Sequence, residues 1–150
     1  MKSWRIPGWS RWALLVLILI GIADAGYLSY ASLLGSDPVC GGLQSDCHTV
    51  HTSRYVNVGG LLPVALLGEL FYLALLGLWW WGSQREGPLV AWTPLAFFEL
   101  ALAGVLFSAY LTYLEFLVLH ARCPWCIGSA VTATGICGLA TPTALQMLES

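Results

Sequence analysis

The chain has 150 residues, a net charge of −2 at neutral pH, 58% hydrophobic residues and only 9% charged ones, with a mean hydropathy of +0.76. That length holds one compact domain, and a soluble domain needs far more charge to cover its surface. Six basic residues spread along the chain without a cluster exclude a nucleic-acid surface, which leaves a membrane protein.

A helix needs roughly 20 apolar residues to cross the hydrocarbon core. The first run that qualifies is 12–34, interrupted only by Asp24. Lys2, Arg5 and Arg11 precede it, and Ala23-Asp24-Ala25 resembles a signal-peptide cleavage site. Apolar residues nevertheless continue through Tyr27, Leu28, Tyr30, Leu33 and Leu34, so the run reads as a full span. A polar loop, 35–57, separates it from a second run, 58–81, which contains Glu69. The third run, 92–119, carries Glu99 and Glu115, and the fourth, 124–146, has no charge. The expected fold is therefore an all-α integral membrane protein. It is a four-transmembrane-helix bundle in a single domain, with one outward loop.

Orientation follows from the basic residues. Lys2, Arg5, Arg11 and Arg85 fall on the side of the termini, against Arg54 and Arg122 on the other. The bias places both termini in the cytoplasm and the loop outside. Trp9, Trp12, Trp79, Trp80, Trp81 and Trp92 all fall near the cytoplasmic boundary, as an interfacial belt does. Pro63 and Pro94 sit in early helical turns, where proline is tolerated.

Four of the five cysteines fall at the outward face. Cys40 and Cys47 lie in the loop, and Cys123 and Cys126 form a C-P-W-C motif where the fourth helix begins. That compartment is the one in which disulfides persist. Three readings fit: reversible disulfide exchange, a four-cysteine zinc or other soft-metal site that binds or transports the ion, or structural disulfides. Pro124 suits the first helical position, which puts Cys123 at the N-cap and Cys126 in the first turn. Helix N-terminal amides and the neighbouring Arg122 stabilise a thiolate there, which favours exchange. His48, His51 and His120 share this face, as rim residues that modulate the thiols or as ligands in the metal reading. Cys137 is expected deeper in the fourth helix, as a small apolar filler.

Among the intramembrane acids, Asp24, Glu69 and Glu99 read as neutral carboxyl groups hydrogen-bonded between helices. Glu115, within two turns of Cys123, is the candidate for proton traffic. Gly104, Ser108, Gly128, Ser129, Gly135 and Gly138 suit close helix packing.

Taken in order, several of these segments resemble the vitamin K epoxide reductase family, in particular bacterial homologues that oxidise disulfide-forming partners. The segments are the Gly26-Tyr27-Leu28 step, the pair Cys40 and Cys47, Ser53-Arg54-Tyr55, Gly59-Gly60-Leu61-Leu62-Pro63, Leu67-Gly68 and Cys123-Pro124-Trp125-Cys126. The resemblance covers nearly the whole chain. It implies that Cys123 and Cys126 are the active pair, with Cys126 beside a membrane quinone. It makes Cys40 and Cys47 a shuttle pair fed by a soluble extracytoplasmic thioredoxin-like dithiol protein, and Ser53 and Arg122 supporting residues. Bacterial members often carry a fused thioredoxin-like domain; this chain stops at Ser150, so such a partner is expected to be a separate protein. Val64 and Ala130 stand where members related to the animal enzyme place an asparagine and a tyrosine. That argues against vitamin K epoxide and for a respiratory quinone such as ubiquinone or menaquinone. The expected location is an inner (plasma) or thylakoid-type membrane, with the active site on the extracytoplasmic face.

Overall fold

The computed structural model describes residues 6–34, 57–58, 62–118, 120 and 124–149. Four long helices carry the fold: α1 (Gly8–Leu34), α2 (Val64–Gln84), α3 (Thr93–Tyr113) and α4 (Pro124–Glu149). A 3-10 turn, Val90–Trp92, leads into α3, and a π-helical turn, Leu114–Val118, continues it. Each helix packs against two others in a ring, α1 on α2, α2 on α3, α3 on α4 and α4 back on α1. Sequential helices joined by short connections run antiparallel.

The core is drawn from all four helices: Leu14, Ile18 and Ala25 of α1, Tyr72 and Leu75 of α2, Phe97 and Ala101 of α3, and Ile136 and Ala140 of α4. On α1 the buried residues Leu14, Ile18, Gly21, Ala25 and Leu28 repeat in alternating steps of four and three. One helical stripe thus faces the bundle, while Leu19, Ile20, Leu106 and Val131 are exposed on the outside. Apolar side chains on both the inner and outer surfaces are what a lipid-embedded bundle requires. Three segments, Gly8–Leu34, Val64–Gln84 and Val90–Val118, are long and apolar enough to cross a membrane.

The helix bounds differ from the hydropathy runs for local reasons. Helix α1 starts at Gly8 rather than 12, just after Pro7, whose carbonyl accepts the Ser10 and Arg11 amides. Helix α2 starts at Val64, not 58. Residues 57–58 and 62–63 instead form a short antiparallel pair, Asn57 opposite Pro63 and Val58 opposite Leu62. Proline lacks the amide that a helix interior needs and biases its predecessor toward extended backbone, so the helix begins only after Pro63. The third run resolves into a 3-10 turn, an α-helix and a π turn. Helix α4 runs on to Glu149 through Pro142.

Helix α4 is richer in threonine than the others. Thr132, Thr134 and Thr141 each donate Oγ1–H to the carbonyl four residues back, all at 2.8 Å. Such bonds satisfy polar groups within the helix itself, which is what lipid surroundings demand.

Aromatic residues mark one end of the bundle. Trp9, Trp12, Trp80, Trp81 and Trp92 are exposed there. The Arg11 guanidinium of α1 lies 5.9 Å from the Trp79 ring of α2, and that of Arg85 lies 4.6 Å from Trp81. The tryptophans expected to form a belt therefore gather at the α1 N-terminus and α2 C-terminus. The small residues behave unevenly. Gly104 faces the Phe71 ring and Gly135 approaches Leu17, but among the described residues Gly128 and Gly138 have nothing within 4 Å of a Cβ position.

Candidate functional site

Pro124 is the first residue of α4 and Cys126 the third, so Cys126 lies in the first turn, as the motif predicts. Trp125 between them packs on Tyr27 of α1, with ring centroids 5.0 Å apart and planes tilted by 37°. This contact ties the start of α4 to the C-terminal part of α1. Cys40, Cys47, Ser53, Arg122 and Cys123, together with His48 and His51, lie outside the described residues. His120 is exposed, with a left-handed φ of 50°. Among the described residues, no three His, Cys, Asp or Glu side chains converge as a metal site does.

Cys126 lines a cavity of about 440 Å³ inside the bundle. All four helices contribute, but most of the wall comes from α2 and α3. Leu67, Phe71, Leu100, Phe107 and Leu111 make it apolar. Its polar groups are few: Asp24, Tyr72, Ser108, Thr112, Glu115, Cys126 and Ser129. A cavity of this size and lining, with a few convergent polar groups, is the form of a small-molecule site.

Tyr72 is the side chain that shapes the cavity floor. It is buried, and its hydroxyl reaches from α2 across the bundle to Ser129 of α4, 3.0 Å from both the carbonyl oxygen and Oγ. Phe71 packs edge-on against it at 5.0 Å. Tyr72→Phe keeps the ring and removes the bonds. It is expected to cost about 1 kcal/mol, read as a lower unfolding midpoint in detergent, with the cavity left open.

The intramembrane acids separate by position. Glu99 is exposed on α3, and Glu69 is half-buried with its carboxylate beside Gly26. Glu69 Oε2 has no hydrogen-bond partner among the described residues. Asp24 and Glu115 both line the cavity, and Glu115 is only 3% exposed. Asp24 thus joins the cavity wall, one helical turn before Tyr27 on α1, while the exposed Glu99 does not lie between helices. Cys137 is half-buried against the core cluster, as expected of a filler.

Sequence reasoning passed over Tyr72, Phe71 and Phe107. No motif marks them, since aromatics in an apolar run read as ordinary core. The C-P-W-C motif and Glu115, in contrast, were both visible.

The model of the Vitamin K epoxide reductase family matches residues 12–141. The match takes in both cysteine pairs and every helix that lines the cavity.

Proposed function

This chain belongs to the vitamin K epoxide reductase family, a family of membrane oxidoreductases acting on thiols, and we propose that it is a thiol:quinone oxidoreductase supporting disulfide formation. The observation that carries the reading is the apolar cavity of about 440 Å³ with Cys126 on its wall. A respiratory quinone is membrane-soluble and needs such a slot, whereas a soluble dithiol protein has no access to it.

In this proposal all four helices span the bilayer. Helix α4 has 26 residues, about 39 Å at 1.5 Å per residue, which exceeds the hydrocarbon thickness. Its hydropathy is diluted by threonines whose hydroxyls are bonded within the helix. The aromatic end with Arg11 and Arg85 is cytoplasmic, as are both termini, and the Cys126 end faces outward.

The relay has two stages. A thioredoxin-like dithiol protein reduces the disulfide of the shuttle pair, Cys40 and Cys47, through a mixed disulfide. The shuttle pair, with Cys47 attacking Cys123, then reduces the Cys123–Cys126 disulfide in the same manner. The quinone supplies the two-electron acceptor. The chain's own part is to hold Cys126 against it, to exclude water with Phe71, Phe107 and the leucines, and to keep the start of α4 on Tyr27. Ser53 and Arg122 support the active pair in this reading.

The test is direct. The purified protein, given a reduced thioredoxin-like protein and a short-chain ubiquinone or menaquinone, is expected to reduce the quinone, followed by its absorbance. Cys123→Ala and Cys126→Ala are each expected to lower turnover at least a thousandfold. Turnover unchanged in both variants sinks the proposal.

A further inference from the structure

The cavity contains more proton-exchanging groups than an apolar slot for a ring needs. Hydroxyl groups in its wall form hydrogen bonds within the bundle. Thr112 donates its hydroxyl to the Ser108 carbonyl at 2.8 Å, and the Tyr72 hydroxyl is bonded to Ser129. The groups whose chemistry suits repeated proton uptake and release are the carboxyls of Asp24 and Glu115. Glu115 is the more deeply enclosed: it is 3% exposed, whereas Asp24 is half-buried.

The backbone at Glu115 is unusual in a way that serves the site. Consecutive residues on an α-helix point about 100° apart, so one of two neighbours ordinarily turns away from a narrow interface. Leu114 and Glu115 are both buried, and the residues that carry them form the π turn Leu114–Val118. Wide turns of this kind recur at functional sites. The turn lies at the α4 end of α3, and Cys126 lies in the first turn of the next helix. Carboxyl and thiol therefore enter the cavity wall near the same end of the bundle.

We infer that Glu115 is the proton carrier between the active-site dithiol and the bound quinone. This rests on the proposed function. The balance is simple. Two thiols become one Sγ–Sγ bond and release two electrons and two protons; the quinone takes up both electrons and both protons to become the quinol. Glu115 takes a proton from the thiol side and gives one to a quinone oxygen, twice per turnover, and ends as it began.

The test uses the full chain in detergent or liposomes, pre-reduced and mixed with a short-chain quinone in a single turnover. Glu115→Gln keeps the size and hydrogen-bonding shape but does not exchange protons. It is expected to slow reoxidation about 100-fold or more, with quinone affinity within threefold of wild type. Glu115→Asp is expected to recover at least tenfold of that loss. A second readout needs no quinone: alkylation of reduced Cys126, resolved by peptide mass spectrometry, is expected to slow about tenfold in Glu115→Gln because the thiol loses its proton acceptor. Wild-type reoxidation and alkylation rates in Glu115→Gln would overturn the inference. So would affinity and rate falling together without rescue by Asp, which marks a structural role, or a rate loss in Asp24→Asn alone. Failure of the wild-type chain to be reoxidised by quinone refutes instead the function on which the inference rests.

Discussion

Filling the cavity from its α3 wall is expected to stop quinone reduction while leaving the cysteines chemically competent. Ser108 lines the cavity and is half-buried. Its backbone carbonyl accepts the Thr112 hydroxyl, a bond that survives any side chain at 108. Ser108→Trp therefore adds an indole to a space of about 440 Å³ without removing a structural contact. The indole projects from the α3 wall and competes with a bound ring system for the same space. The expected loss of quinone affinity is at least 100-fold, or about 3 kcal/mol. Single-turnover reoxidation by quinone is the measurement, with disulfide exchange between the dithiol partner and the chain as the internal control. If quinone reduction persists at the wild-type rate, the quinone binds elsewhere, and the cavity loses its claim as the site.

The features that were legible in the sequence share a property: each is encoded by neighbours along the chain. Apolar runs long enough to span a bilayer announced the helices. Pro124 at a helix start placed Cys126 in the first turn, and the tryptophans gather at one end of the bundle. The start of α2 was misread because hydropathy does not distinguish an apolar strand from an apolar helix; Pro63, which ends the paired segment, was the available signal. The π turn at Leu114–Val118 has no hydropathy signature at all. The cavity was inaccessible for a different reason. Tyr72 meets Ser129 across 57 positions, and Tyr27 meets Trp125 through a fold-level contact. Such pairings depend on how four helices come together, and a single sequence carries no direct record of them. In a membrane chain the difficulty grows, because lipid-facing and core-facing residues are equally apolar and periodicity no longer separates them.

Glycines in α1 and α4 test that last point through opposite responses to one methyl group. Gly21 lies on the buried stripe of α1, and a Cβ there overlaps the ring of Tyr72. The ring has little room to yield, since it is buried in the core and its hydroxyl is held by Ser129. Gly21→Ala must therefore push α1 from α2 or pull Tyr72 off Ser129. Overpacking of this kind costs about 1–3 kcal/mol, partly offset by the helix propensity that alanine gains over glycine, about 1 kcal/mol. Gly21→Leu keeps most of that offset, since leucine is nearly as good a helix former as alanine, but its larger side chain deepens the clash. Gly104→Ala meets the half-buried ring of Phe71, which has more freedom to swing, so a smaller loss is expected. Gly138 has nothing within 4 Å of its Cβ position, and Gly138→Ala keeps the propensity gain without a clash. In one detergent, the order of unfolding midpoints is expected to be Gly138→Ala at or above wild type, then Gly104→Ala, Gly21→Ala and Gly21→Leu. A Gly21→Ala midpoint equal to that of Gly138→Ala contradicts the close approach of α1 to Tyr72. Because Tyr72 forms the cavity floor, the destabilised Gly21 variants are also expected to bind quinone less tightly, which links helix packing to the site it shapes.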